Sequence, residues 1–534
     1  MKRAPKSKLA QHWPTIGLVA LILVQTVIYA LAGVGKVYLH MDEAYSLGLT
    51  HYDQIELPEN ADFYNTWHNA QYYEDYLAVR ADERWNFAPV YENQKNDVHP
   101  PLYYLLLRLA IETTPGRFSK WPGIILNILI HAGITMLCYL IWRRLLKKEA
   151  HADAKALALT VAIALTVASV SSAVYIRMYA LLTLMVLLTL WLHLKLIDAK
   201  KWRPILLIAV GGGAVLGVLT QYYYLFFLAP LYLVMSIRYV REKNWRRLGI
   251  YTGVLVLAGV ISLLIWPYSF QHMFASYRGQ GVIHSFLNVP VLLQHIWEYI
   301  KVVNYNVFHQ VGLILMIVLI VMLGLAMKLH KLTPQKDYAL HLALWPTLVY
   351  FLIVAAASPF IELRYVMPVC GLLFGLVMLL AYRLLGAFGS EKPRNIIMVV
   401  LMSVIWLAAP LQLLSGKMRI ELLYRDRADV MMEAEQHKDA PLLYLISSKN
   451  NRYLDNILPF TIVQESYLAL DFDYTDISGL QEILAGKDLS RGLTLWISDQ
   501  QDHEATLQAV KTATGLENVE YIQTINTCSV YYLR

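Results

Sequence analysis

The sequence predicts an all-α polytopic membrane domain of about eleven transmembrane helices, residues 1–415, followed by a small C-terminal α/β domain, residues 416–534. Three observations predict it. Of 534 residues, 57% are hydrophobic and only 16% charged, against about 25% charged in an ordinary soluble domain. Mean hydropathy is +0.43. Apolar runs of about 20 residues, enough to cross ~30 Å of hydrocarbon as a helix, recur up to residue 415 and then stop.

The runs fall near 15–37, 121–142, 155–175, 178–197, 204–222, 225–240, 248–269, 308–328, 340–358, 366–385 and 395–415. The boundary around Tyr222, Tyr223 and Tyr224 is the least sharp of these. Short loops rich in Lys and Arg stay on the cytoplasmic side, and such clusters, at 2–8, 143–148, 200–203, 241–247, 328–336 and 392–394, follow every second run. The pattern predicts a multi-pass plasma-membrane protein with a cytoplasmic N-terminus, an outward loop 38–101 and an extracytoplasmic C-terminal domain. The first run leads into Gly33 to Tyr38 without a small-residue cleavage site, so it is read as a span and not as a signal peptide.

The net charge of +7 is spread over the inward loops. That spread points to topology and anionic membrane lipid as the partner, and to no nucleic acid. Cys138 and Cys370 lie within apolar runs and Cys528 stands alone, so neither a disulfide framework nor a metal-ligand pair is expected. In the C-terminal domain, strand-like segments 442–447, 493–498 and 529–533 alternate with helix-like segments 426–437 and 503–514. No Gly-rich phosphate loop or nucleophile motif occurs there. A lid, an acceptor-binding surface or a stabilising body are the roles left open for it.

Candidate chemistry gathers at the ends of the outward-facing runs. Asp42 and Glu43 follow the first run directly, and carboxylates are expensive to hold near lipid without a partner or a function. The loop after them is dense in Tyr, Trp and His, which suits a sugar-binding surface and a membrane interface equally. It ends in His99-Pro100-Pro101-Leu102-Tyr103-Tyr104, where two prolines fix an extended lead into a helix too short to span. Arg177 and Tyr179 sit at an outward turn, and Arg364 and Tyr365 at another, beside Glu362. An arginine on that side either anchors lipid head groups or binds a phosphate or carboxylate with its planar fork; Glu362 is also a simple ion-pair partner for Arg364. Arg278 and His284 lie in the outward loop 271–305 and extend the same cationic set. Glu74, Asp75, Asp82, Glu83 and Asp97 are further carboxylates that the sequence does not tell apart.

The ordered set Met41-Asp42-Glu43-Ala44-Tyr45-Ser46, then HPPLYYLLLRL, then RMYALL, then RYVMP resembles the GT-C membrane glycosyltransferases of the protein O-mannosyltransferase and lipid A aminoarabinose transferase branch. The likeness runs from about residue 15 to 415. It implies a GT-C-like fold, a polyprenyl-phosphate sugar as donor, and inverting transfer to a protein, lipid or surface-polymer acceptor on the outer face. It also implies Asp42 as the catalytic carboxylate with Glu43 beside it, and His99, Arg177, Tyr179, Arg278, Arg364 and Tyr365 at the donor phosphate, where His99 either binds that phosphate or orients the acid. This branch uses no cofactor and no divalent metal as a rule. No DxD motif appears in the outward loops, and Asp471-Phe472-Asp473 reads as a solvated turn. Two other classes are weighed against it. A transporter places charges in mid-span and is built from repeats, and neither is visible; an envelope scaffold leaves the acidic pair and the outward arginines unexplained.

Overall fold

The computed structural model describes residues 8–51, 63–275, 289–331, 337–416, 420, 422–450, 452–526 and 528–534. All eleven apolar runs are helical there. Eight helices are long and apolar enough to cross a membrane, from His12–Val34 to Glu391–Leu414. Pro204–Thr220 and Gly312–Lys328 are apolar but shorter. The remaining run is a broken pair, Ala152–Ala164 and Val167–Val174, bent by 58°. This is a multi-pass membrane protein.

The break is built into the sequence. Backbone groups freed inside a membrane need internal partners, and hydroxyls supply them. Tyr29 donates to the Ala164 carbonyl at 2.6 Å, while Thr166 and Ser169 donate to the Ile163 carbonyl at 2.9 and 2.8 Å. Thr166 then caps the second helix by accepting the Ser169 N–H.

Contacts divide the chain into two compact units. The first comprises residues 1–32, 97–103 and 124–421. Its most enclosed candidate span is Leu363–Phe388, 78% buried over its apolar window, against 11% for Glu391–Leu414. Gly375 makes that enclosure possible, because a Cβ there would stand 2.0 Å from the Trp142 ring.

The second unit comprises residues 33–96, 104–123 and 422–534. Its six strands are β1 (Trp67–Asn69), β2 (Leu442–Ile446), β3 (Glu465–Leu470), β4 (Leu493–Ser498), β5 (Val519–Ile525) and β6 (Cys528–Leu533), in the order β1-β3-β2-β4-β6-β5. β2 runs parallel to both β3 and β4; the other pairings are antiparallel. Leu443, Leu445, Leu495 and Ile497 face Leu480, Leu484 and Val510 of the helices Ile477–Leu484 and His503–Thr514. Tyr444 and Trp496 face the other way, onto Phe460. With both faces covered, β2 and β4 read as unbroken apolar runs, which is why the sequence shows them. β1 is three residues long and exists only through its pairing with β3, Trp67 opposite Tyr467. Loop 38–101, expected with the membrane domain, thus falls mostly into the second unit, and only its last residues, from Asp97, into the first.

Candidate active site

Asp42 stands in the first turn of the helix Met41–Gly48 in the second unit, where the N-terminal end of the helix dipole favours a carboxylate. His40 and Glu43 form a capping box around it. Nδ1 of His40 accepts the Asp42 N–H at 3.0 Å, and Oε2 of Glu43 accepts the His40 N–H at 2.8 Å. Since His40 Nδ1 accepts that bond, it has no proton to give the Asp42 carboxylate 3.8 Å away. The Asp42 side chain is 20% exposed.

Glu43 differs sharply from its neighbour. It is fully buried and also takes Lys36 Nζ at 2.8 Å, with the lysine equally buried. Burial pushes the Lys36 ammonium below its usual range, and only the Glu43 carboxylate opposes that. Expected as a catalytic partner of Asp42, Glu43 is built into the frame that holds Asp42 in place.

The C-terminal chain completes this frame. Asp455 Oδ1 accepts the Met41 N–H at 3.1 Å, filling one of the orphan donors at the start of the Asp42 helix. Arg427 donates to the Asp455 carbonyl at 3.0 Å and lies over the rings of Tyr38 and Tyr424. Lys36 Nζ reaches the Leu422 carbonyl at 2.6 Å and Val37 N–H the Leu423 carbonyl at 2.9 Å. Leu422 and Tyr424 are held at φ +69° and +52°, a region that non-glycine residues adopt only where surrounding contacts enforce it.

The first unit carries the other half of the expected residues. His99 is buried, and its Nδ1 lies 2.7 Å from Asp97 Oδ2. Burial alone would raise the Asp97 carboxyl, but the His99 charge and hydrogen bond, with the Arg177 guanidinium, hold it down at about 2. Among the five carboxylates that the sequence left undistinguished, Asp97 is therefore the one placed with His99 and Arg177. Glu83 pairs with Arg80, and Asp75 with Gln71.

Arg177 and Arg364 are both buried, at 5% and 8% exposure, at breaks between helices. Arg364 Nη1 donates to the Tyr175 hydroxyl at 2.9 Å, Nη2 to the Tyr365 hydroxyl at 3.3 Å, and Nε lies 2.8 Å from Glu362 Oε2. Tyr179 stacks on Tyr175 and meets Tyr365 edge-on. Tyr175, which no motif had singled out, ties the two arginines together: its hydroxyl meets Arg364, and its carbonyl accepts the Arg177 N–H at 2.7 Å and Asn127 Nδ2. Tyr222, Trp266 and His272 form a second unforeseen cluster, joined through the Tyr222 hydroxyl at 3.0 and 3.2 Å. Arg278 and His284 lie outside the described residues. Asp471 and Asp473 accept turn N–H groups from Ser448 and Thr475, as a solvated turn requires.

Residues 98–266, which hold His99, Arg177 and Tyr179, match the family described as dolichyl-phosphate-mannose-protein mannosyltransferase. The crystal structure of ArnT from Cupriavidus metallidurans bound to undecaprenyl phosphate is similar with a TM-score of 0.50, over 96% of this chain and 97% of that one, at 14% identity. The chain has an ArnT-like fold. ArnT from the same organism in its apo state gives a TM-score of 0.49 at 13% identity, over 97% and 98% of the two chains. The archaeal oligosaccharyltransferase AglB from Archaeoglobus fulgidus, in complex with an inhibitory peptide and a dolichol-phosphate, gives 0.43 at 9% identity, over 98% of this chain and 74% of that one. No curated protein matches by sequence. The fold likeness rests on the first of these structures. The family match covers the segment with the cationic residues and not the one with Asp42.

Proposed function

We propose that the protein is a membrane glycosyltransferase that moves a sugar from a polyprenyl-phosphate donor to an acceptor hydroxyl at the outer face of the membrane, inverting the anomeric centre. The observation that carries this reading is the pair of buried arginines, Arg177 and Arg364, gathered with His99 within the ArnT-like fold. Glu362 and Asp97 hold these two guanidinium groups in the buried cluster, and a guanidinium fork matches phosphate oxygens.

In the reaction the acceptor oxygen bonds to the anomeric carbon as the bond from that carbon to the phosphate oxygen breaks. The electron pair leaves with the polyprenyl phosphate, and Arg177, Arg364 and His99 take up the charge that develops there. Tyr365 binds the Arg364 fork, and Tyr179 packs against Tyr175 and Tyr365, the two tyrosines that hold that fork. The acceptor proton passes to the Asp42 carboxylate, which acts as the general base. The ArnT complex with undecaprenyl phosphate is consistent with a donor of this class.

The test is sugar transfer by the purified protein in lipid vesicles, offered a panel of polyprenyl-phosphate sugars, with Asp42→Asn as control. Release of polyprenyl phosphate by the native protein and none by Asp42→Asn is expected. Undiminished transfer by Asp42→Asn removes Asp42 from the chemistry, and neither donor binding nor transfer across the panel overturns the transferase reading.

A further inference from the structure

The second unit contains a cleft of about 530 Å3 that no step above uses. Its lining begins with Lys36, Val37, Tyr38 and Leu39, the stretch of chain that runs directly into the Asp42 helix. From Leu39 to Asp42 is three residues, at most about 11 Å of extended chain.

Four cations line the cleft, Lys36, Arg117, Lys120 and Lys438, against two acids, Glu74 and Glu435. Lys36 is committed to Glu43, and Lys438 to Glu435 at 3.3 Å. Arg117 lies near Glu74, whose carboxyl is still raised because burial outweighs the guanidinium. The Lys120 ammonium donates to the Lys36 carbonyl and not to a carboxylate. Burial and the Lys36 charge push it below its usual range. Two neighbouring cations, Lys120 and Arg117, therefore stand over the cleft with less negative charge than they can use.

We infer that this cleft is where the acceptor is recognised, and that the acceptor carries phosphate, held by Lys120 and Arg117 while its hydroxyl lies within reach of Asp42. The inference rests on the transferase reading and names the class of acceptor that the reading leaves open.

The experiment measures binding, by calorimetry on the full-length protein in detergent, of a glycerol-phosphate oligomer and of polyglycerol lacking phosphate. The phosphate oligomer is expected to bind and polyglycerol not. Lys120→Gln and Arg117→Gln should each weaken oligomer binding roughly tenfold, the worth of one charge-assisted hydrogen bond, with donor binding unchanged. Arg117 is exposed, so its variant tests the site even if Lys120→Gln perturbs folding. Equal binding of both probes, or undiminished binding by both variants, overturns the inference. In nanodiscs, competition by phosphatidylglycerol and not by phosphatidylcholine assigns the phosphate to a lipid head group; no competition assigns it to a polymer. Phosphate binding at this cleft with no transfer from any donor overturns the transferase reading, whereas transfer with an acceptor site indifferent to both variants overturns the cleft alone.

Discussion

The two groups of candidate residues, one in each unit, are held by different means. The His99, Arg177 and Arg364 cluster belongs to the membrane unit, and side chains hold it: Asp97, Glu362, Tyr175 and Tyr365 each bind one of its cations. Asp42 belongs to the other unit, and its helix is held largely through backbone groups, the Met41 N–H on Asp455, the His40 N–H on Glu43 and the Asp42 N–H on His40. The first arrangement fixes the orientation of charged groups. The second fixes one helix end, with its carboxylate part-exposed. The lesson is that adjacent carboxylates need not share a role, since Asp42 is part-exposed while Glu43 is sealed against Lys36.

Breaking the frame should have the largest effect. Glu43→Gln leaves Lys36 buried without its counter-charge, and loss of about 3–5 kcal/mol is expected, as for other broken buried pairs. Thermal melting in detergent checks it, and Lys36→Met with Glu43→Leu should restore most of the stability. A Glu43→Gln protein that melts like the native one but transfers no sugar would return Glu43 to the chemistry.

Breaking the cationic cluster should show in binding. Arg177→Ala and Arg364→Ala each remove charge-assisted hydrogen bonds worth about 1.5–3 kcal/mol, so donor affinity should fall roughly tenfold to a hundredfold. Donor titration by fluorescence or calorimetry reads this, and unchanged affinity in both variants discards the phosphate pocket.

The Asp97 carboxyl offers a pH test of the same cluster. Its folded value of about 2 lies below the ordinary 3.8, so the folded state binds fewer protons between them. The stabilisation, on the order of 2 kcal/mol, is complete above the ordinary value and disappears as pH falls through the folded one. Native protein should therefore outlast Asp97→Asn in melting near neutral pH, and the gap should close in strong acid. A gap independent of pH disproves the ion pair with His99 and Arg177.

The smallest effect is expected from Asp455→Ala. It leaves the Met41 N–H without its acceptor and should lower stability by about 1 kcal/mol. If the C-terminal chain positions Asp42, turnover should fall with donor affinity unchanged. Loss of donor affinity instead would place Asp455 in a different role.

Much of this was legible in the sequence. Apolar length alone located all eleven helical runs among the described residues, because hydrocarbon thickness sets the length of a span; charge at the ends of those runs pointed to Arg177 and Arg364, and the following prolines to His99. β2, β4 and β6 were visible as apolar strands. Tyr175 was not, since one tyrosine among 36 carries no signal until Arg364, distant in sequence, is folded onto it. Asp97 looked like four other loop carboxylates until packing put it beside His99 and Arg177. The short strand β1 is defined only by its partner β3, about 400 residues away in the chain.

By itself, then, the sequence determined a multi-pass membrane domain, a C-terminal α/β body and the residue types able to meet phosphate, because these follow from composition, run length and side-chain chemistry. Tertiary structure alone decided that Glu43 is buried against Lys36, that Asp97 is the carboxylate paired with His99, and that the described residues between 33 and 96 belong to one compact unit with the C-terminal chain. The physical reason is that burial and charge pairing depend on which distant segments meet, and local sequence does not encode that.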